Sequence, residues 1–257
     1  MNILDIKSKE ELLKHKSNFY LKTLKKRNLI NTNVIFNIKN LPKSDIFLVD
    51  IHRFSGFEGS YYFNGNDPLV NTSLELLKNS NLKLKDSFLF KYYQIFQPKT
   101  YGDVYHLNKT NKLHHLEATN YFHPWIHKKP TNQFRCGLFG PKDISNVEHR
   151  IIRLKNIINN INKFGYIPST DDIIEGYILL KKDDYRYLIT GGHHRVAVLT
   201  AMYMNDNTKF NDILVKYEQK RSKIKIVKDD NVSNWPGVKS GYLNREDALE
   251  MFNKYFI

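Results

Sequence analysis

YRYLITGGHHRVAVLTAMYM, residues 185–204, is the stretch that decides the fold of this chain. Aromatic and branched side chains over residues 185–190 predict a β-strand. The apolar run over residues 196–204 predicts a helix. A strand therefore runs through a short turn, Gly191 to Arg195, directly into a helix.

The turn carries two glycines, two histidines and an arginine. Gly191 and Gly192 allow the backbone to turn sharply and to approach a ligand closely. The helix that follows offers amide groups and the positive end of its dipole. Arg195 can hold a phosphate through two parallel hydrogen bonds. The segment favours a polyphosphate ligand; the alternative is an ordinary strand-to-helix turn with a stacked histidine pair and a surface arginine.

A long helix is predicted upstream of this stretch. Ser145 and Glu148 have the spacing of a capping box, with Ser145 as N-cap and Glu148 at position N3. Gly165 is predicted to follow the last residue of the helix, and Pro168 lies just beyond it. Apolar residues recur between these ends at helical spacing: Val147, Ile151, Leu154, Ile158 and Ile161.

The remaining elements indicate a mixed α+β fold. Residues 176–181 and 185–190 predict a hairpin around Lys182-Asp-Asp, and two more strands and a capped C-terminal helix follow. The first half predicts a helical lead-in over residues 1–33, strands at 33–38 and 45–51, helices at 71–79 and 86–96, and an irregular stretch at 97–142. We expect an N-terminal α/β extension over residues 1–140, on the substrate side, and a second domain over residues 141–257.

Composition excludes several classes of protein. The chain of 257 residues has 40 basic and 26 acidic residues, a net charge of +14, and one cysteine, Cys136. A single cysteine excludes an internal disulfide framework and any CxxC motif. No signal peptide or apolar span of about 18 residues is present, so we expect a cytoplasmic protein without a membrane partner. The positive charge fits either nucleic acid or a small phosphate-bearing ligand.

Residues 145–204 resemble the ParB/sulfiredoxin superfamily. The shared layout is a helix, a Gly-Tyr-x-Pro-like turn at Gly165 to Pro168, a strand pair, and a G-H-x-R-type box that opens a helix. The resemblance implies a ParB/sulfiredoxin-like mixed sheet with flanking helices, in which the box binds nucleotide phosphates. Members include chromosome-partitioning CTP switches, sulfiredoxins, predicted nucleases and kinases that phosphorylate free serine.

The box separates these members. Sulfiredoxins need a cysteine at the position of His193, and without a thiolate their reaction has no nucleophile. Partitioning proteins carry a helix-turn-helix domain after the box, whereas two strands and one helix are predicted here. The serine kinases resemble this chain most closely, since their box is of the Asp-Gly-His-His-Arg type, although Gly191 stands at the aspartate position. The resemblance implies that Glu148 is the catalytic base; the capping box alone also explains this residue.

The expected site residues form three groups. The catalytic residues are Glu148, His194 and Arg195. The nucleotide phosphates are bound by Thr190, Gly191, Gly192, His193, His194 and Arg195. Substrate contacts are expected from Asp50, His52 and Arg53, because polar groups at the end of a strand are often part of a site.

Other polar groups are weaker candidates. Asp171, Asp172 and Glu175 could hold Mg²⁺ or form a solvated turn. His114, His115, His123 and His127 have spacing that allows a Zn²⁺ site, but an ordinary polar surface explains them as well, so no metal site is assigned within the protein. Tyr187 either lines the site or packs in the core.

The sequence thus predicts a phosphotransferase, a small-molecule kinase of the ParB-like type. It would use ATP or ADP with Mg²⁺, as the resemblance implies, and a hydroxyl group of a small metabolite as acceptor. Two alternatives stay open. One is a ParB-like DNA-binding protein or nuclease, with nucleic acid as a less favoured partner; the other is a non-catalytic nucleotide sensor.

Overall fold

The computed structural model describes residues 45–56, 59, 62–131, 139–168, 173–206, 210–218 and 224–256. Several predictions fall elsewhere in the chain. The helical lead-in over residues 1–33 and the strand at 33–38 lie outside the described residues, as do Cys136, Asp171 and Asp172. Within the described residues the fold is mixed α and β, as predicted.

One mixed sheet organises the molecule. Its strands are β1 (Ile46–Asp50), β2 (Phe54–Ser55), β3 (Ile174–Lys181), β4 (Asp184–Gly191), β5 (Asp212–Tyr217) and β6 (Ile226–Lys228). The order is β1-β5-β3-β4-β2, and β6 pairs with β3. The β3–β4 and β1–β5 pairs are antiparallel, whereas β2–β4, β3–β5 and β3–β6 are parallel.

The sheet joins both halves of the chain. Strands β1 and β2 come before residue 140, yet β1 pairs with β5 and β2 pairs with β4. The boundary expected at residue 140 therefore does not divide the sheet. The hairpin predicted around Lys182 is confirmed: Lys181 pairs with Asp184, and Lys182 adopts a φ of 50° in the two-residue turn.

The helices are short apart from two. They are α1 (Pro68–Lys78), α2 (Phe88–Ile95), α3 (Tyr101–Val104), α4 (Ile144–Phe164), α5 (His193–Asn205), α6 (Pro236–Lys239) and α7 (Arg245–Asn253). Asp67 caps α1, whose first residue is a proline, and Ser87 caps α2. Both lie close to the predicted helices at 71–79 and 86–96. None of the described helices is both long and apolar enough to span a bilayer.

The two faces of the sheet pack against different layers. Because side chains alternate along a strand, Tyr187 and Ile189 of β4 join one core with α1, α2, α4 and α5. Leu188 points to the other face and joins a second core. That core is built from apolar residues between Tyr101 and Trp125, from Phe139, from β3 and β6, and from the C-terminal helices. The stretch at 97–142 was predicted to be irregular, as a connector or a substrate-side wall; its described residues contain helical turns and form much of this second core.

Helix α4 follows its predicted apolar pattern but begins earlier than predicted. All five predicted apolar positions are buried. Gly165 follows the last residue with a φ of 77°, and its N–H bonds to the Ile161 carbonyl at 2.8 Å. The predicted capping box is wrong, because Asp143 is the N-cap and its carbonyl accepts from Val147 N at 3.2 Å. Ser145 therefore lies inside the first turn, where its backbone is helical and it cannot act as a cap.

Gly176 is required by the pairing of β3 with β4, at an irregularity in the register. A Cβ at this position would overlap the Leu188 carbonyl oxygen and lie 2.8 Å from Tyr187 Cε1.

We expect Gly176→Ala to lower the free energy of unfolding by about 1–3 kcal/mol, measured by urea denaturation. Gly191→Ala is the control, since its Cβ would meet Glu175 Cβ at 3.6 Å. Equal losses in the two variants would contradict this account.

Candidate functional site

The predicted box, Gly191 to Arg195, forms a tight turn between β4 and α5. Gly192 is the N-cap of α5 and adopts the left-handed conformation, with φ 96° and ψ 14°. Its carbonyl accepts from Arg195 N at 2.9 Å and from Val196 N at 3.1 Å. A Cβ at Gly192 would lie 3.0 Å from Ile174 Cγ1. Both the backbone conformation and the close packing therefore favour glycine at this position.

The first turn of α5 has an unfavourable distribution of charge. It carries His193, His194 and Arg195, and no described side chain caps it. The leading amides of a helix have no carbonyl within the helix to accept from them, and they form the positive end of its dipole. Basic side chains at this end repel that positive charge. An anion bound at the same point would offset the repulsion.

The pKa of His194 responds to the positive charges around the turn. Its pKa is lowered from 6.5 to about 3, first by burial and then by the positive charges of Arg153, Arg150 and His193. Within the described part of the chain, its buried Nε2 atom has no hydrogen-bond partner. His194 is therefore a neutral imidazole at neutral pH, held beside several cationic groups.

The two arginines of α4 complete this cationic group. Arg150 and Arg153 are three residues apart and share one flank of the helix. The prediction from the sequence missed them, although their spacing could have indicated a basic flank beside the buried apolar stripe. The fold brings this flank to the box because α4 packs against α5.

Tyr62 connects the loop after β2 to the box. Its hydroxyl lies 3.2 Å from His193 Nδ1, and its side chain is buried. Strands β2 and β4 are parallel neighbours, with Ser55 in register with Leu188. The carboxyl ends of these strands therefore meet at one edge of the sheet, where ligands bind in many α/β folds.

Glu175 places a carboxylate beside the glycines of the box. It pairs with Gly191, next to the irregularity in the register between Glu175 and Gly176. A Cβ at Gly191 would lie 3.8 Å from Glu175 Oε2, while Glu175 Oε1 forms an ion pair with Lys216 Nζ at 2.9 Å. One carboxylate oxygen thus faces the turn, and the other is oriented by a lysine. Glu175 was predicted only as a weak Mg²⁺ ligand.

Glu148, the predicted catalytic base, is not brought to the box. It is exposed on α4. Two residues along an α-helix turn the side-chain direction by about 200°. Glu148 therefore projects from the flank of α4 nearly opposite Arg150, whose charge is felt by His194.

Of the predicted substrate contacts Asp50, His52 and Arg53, Arg53 lies near the end of β4 that is opposite to the box. Arg53 pairs with Asp184, the first residue of β4, whereas the box follows its last residue. Seven residues of strand span about 23 Å. Asp50 Oδ1 instead accepts from the His52 backbone N–H and lies 2.8 Å from His52 Nδ1.

The two residues predicted to line the site from β4 differ in their surroundings. Tyr187 is fully buried in the core, and its hydroxyl donates to the Lys216 carbonyl at 2.6 Å. Burial raises the pKa of Tyr187 far above its usual value. Thr190 lies next to Gly191, and its buried Oγ1 has no hydrogen-bond partner among the described residues.

Among the histidines of the irregular stretch, His114 and His123 belong to separate structural networks. His123 is buried, lies 3.0 Å from the Tyr177 hydroxyl and 3.1 Å from the Tyr105 hydroxyl, and stacks on Trp125. His114 instead contacts Thr100 Oγ1 at 3.0 Å. Among the described residues, no group of three or more His, Cys, Asp or Glu side chains is placed to hold a metal ion.

A cleft of about 450 Å³ opens beside the box. Arg195 forms part of its lining. One wall comes from α4, through Ile157, Asn160, Ile161 and Phe164, and the other from residues 165–167. Its volume lies within the usual range for small-molecule sites.

The depressed pKa of His194 has a consequence for stability. The folded-state pKa of about 3 lies below the ordinary 6.5, so protons bind preferentially to the unfolded chain as the pH falls. Stability from the neutral imidazole is present above pH 6.5 and is lost towards pH 3, by about 1 kcal/mol per pH unit.

We expect His194→Gln to lose less stability than the wild type between pH 7 and pH 5 in urea denaturation. The exposed His115→Gln is the control, and identical pH profiles for all three proteins would exclude this role.

No family model, curated protein or solved structure matches this chain. The resemblance of residues 145–204 to the ParB/sulfiredoxin superfamily therefore stays a prediction from the sequence. The function is therefore inferred from the chemistry of the site itself. That chemistry is a positively charged helix start, next to one oriented carboxylate and an open cleft.

Proposed function

We propose that this protein is a nucleotide-dependent phosphotransferase that acts on a hydroxyl group of a small metabolite. The observation that carries the proposal is the start of α5. Arg195 occupies its first turn beside His193 and the neutral His194, and Arg150 and Arg153 add to the positive field felt by His194. A polyphosphate would offset this accumulated positive charge.

The phosphates would be held by backbone and side-chain donors together. The leading amides of α5 directly follow the turn at Gly192, and Arg195 can form two parallel hydrogen bonds to one phosphate. His194 Nε2, buried and without a described partner, can donate to a phosphate oxygen in one tautomer. A bound phosphate would also raise the pKa of His194, because an adjacent negative charge favours the imidazolium.

Mg²⁺ fits this site only with help from the nucleotide. No described cluster of three ligands could hold a metal, and Glu175 is the described carboxylate beside Gly191. Mg²⁺ often binds through one or two carboxylates together with substrate phosphates and water. When bound, it would neutralise charge on the phosphates, and Glu175 is the residue that would contact it or act as the base.

The transfer step needs a group that accepts a proton. The acceptor hydroxyl oxygen forms a bond to the terminal phosphorus, while the bond from that phosphorus to the leaving nucleotide oxygen breaks. The hydroxyl proton passes to a carboxylate. We assign this role to Glu175, because it lies beside the box and its orientation is supported by Lys216. The exposed Glu148 lies on the wrong flank of α4 for this role.

The first test is nucleotide binding. Isothermal titration calorimetry with ATP and ADP in the presence of Mg²⁺ should show binding to the wild type. Arg195→Ala should weaken it at least tenfold, because it removes a charged donor to phosphate. Arg245→Ala removes the same charge from an exposed position on α7 and should leave binding unchanged. Absence of nucleotide binding to the wild type would end the proposal, and sequence-specific binding of a DNA duplex would favour the nucleic-acid alternative.

The second test separates the two glutamates. Turnover is measured with labelled ATP or ADP and a panel of amino acids and sugars. Glu175→Gln should lower turnover by about 10²–10⁴-fold while nucleotide still binds, because it removes the proton acceptor. Glu148→Gln should be active.

The opposite ranking of these variants would assign the base to Glu148, as the sequence predicted. Nucleotide binding without turnover on any acceptor would instead support the non-catalytic nucleotide sensor.

A further inference from the structure

We infer that the cleft beside Arg195 holds the nucleoside part of the nucleotide, with the aromatic base between α4 and residues 165–167. This inference rests on the proposed function, because it needs phosphates at the box. The cleft has a volume of about 450 Å³. Arg195 belongs both to the box and to the cleft lining, so a ligand whose phosphates contact Arg195 can extend directly into it.

The wall from α4 is one flank of the helix. Asn160 and Ile161 lie three and four residues after Ile157, and Phe164 lies four and three residues after them, which places all four on one side. The same flank begins with Arg150 and Arg153, nearer the start of the helix. One helix surface therefore changes along its length from cationic to apolar, as a ligand with a charged end and an apolar end requires.

Gly165 makes the second wall possible. The φ of 77° at Gly165 turns the chain at the end of α4, and Tyr166 and Ile167 then line the cleft. Phe164 is 41% exposed and Ile167 is 40% exposed, although both are large apolar side chains. Exposed apolar groups on both sides of a concave site indicate a surface that a ligand covers.

The lining chemistry suits an aromatic base. Rings such as those of Phe164 and Tyr166 offer faces on which any base can stack. Asn160 is exposed, and its side-chain amide has a donor and an acceptor side by side, the pattern that pairs with base edges. The described lining includes no carboxylate, and its charged member is Arg195. Inorganic phosphate or a small sugar phosphate would leave the apolar walls uncovered.

The test compares nucleotides with a ligand that has phosphates and no nucleoside. Affinities of ATP, GTP, CTP and UTP are measured by calorimetry beside that of inorganic tripolyphosphate. We expect the best nucleotide to bind at least tenfold more tightly than tripolyphosphate, since a stacked base contributes about that factor. Phe164→Ala and Asn160→Ala should each weaken nucleotide binding about 5- to 10-fold and leave tripolyphosphate binding unchanged.

The controls come from the same helix. Asn159→Ala removes an exposed amide about 100° around the axis from Asn160. Ile152→Ala shortens an exposed apolar side chain, 47% exposed, on the flank away from the cleft. Neither variant should alter nucleotide or tripolyphosphate binding.

The outcomes distinguish this inference from the proposed function. If tripolyphosphate binds as tightly as every nucleotide, or if Asn159→Ala and Asn160→Ala behave alike, the cleft does not hold the nucleoside, although the phosphate site stands. If neither tripolyphosphate nor any nucleotide binds, the proposed function itself fails. If only the Phe164 and Asn160 variants lose nucleotide affinity, the cleft is the nucleoside site.

Discussion

The left-handed turn at Gly192 is the constraint on which the site depends. It follows the last residue of β4 and precedes the first residue of α5, and its packing against Ile174 leaves little room for a side chain. The turn fixes where α5 begins relative to the sheet. The position of α5 in turn determines which side chains of α4 and β3 can reach the box.

The start of α5 combines the positive end of a helix dipole with basic side chains, and these repel one another. Helix starts favour acidic side chains, yet this one carries His193, His194 and Arg195, with Arg150 and Arg153 close to His194. The fold tolerates the arrangement by keeping His194 neutral. Residues that are locally unfavourable are often retained at functional sites because a ligand compensates for them. Under the proposed function, a bound polyphosphate would offset the positive charge at the turn.

Much of the fold was predictable because periodicity and glycine placement are local properties. The five buried positions of α4, the hairpin at Lys182 and the turn at Gly191-Gly192 follow from residues near one another in the chain. The start of α4 was not predictable, since Ser145 and Asp143 are both residue types that favour the N-cap position and the local sequence does not distinguish them. The stretch 97–142 lacks a clear period, so its place in the second core did not show in the sequence.

The sequence by itself determined that a strand, a glycine turn and a basic helix start would adjoin, because chain connectivity guarantees it. Only the tertiary structure decided which distant groups surround that turn. Antiparallel pairing of β3 with β4 puts Glu175 beside Gly191, and the rotation of α4 presents Arg150 while turning Glu148 outward. Pairing of β2 with β4 places Arg53 at the far end of the strand. Strand register and helix rotation are set by packing over the whole sheet, and no local pattern encodes them.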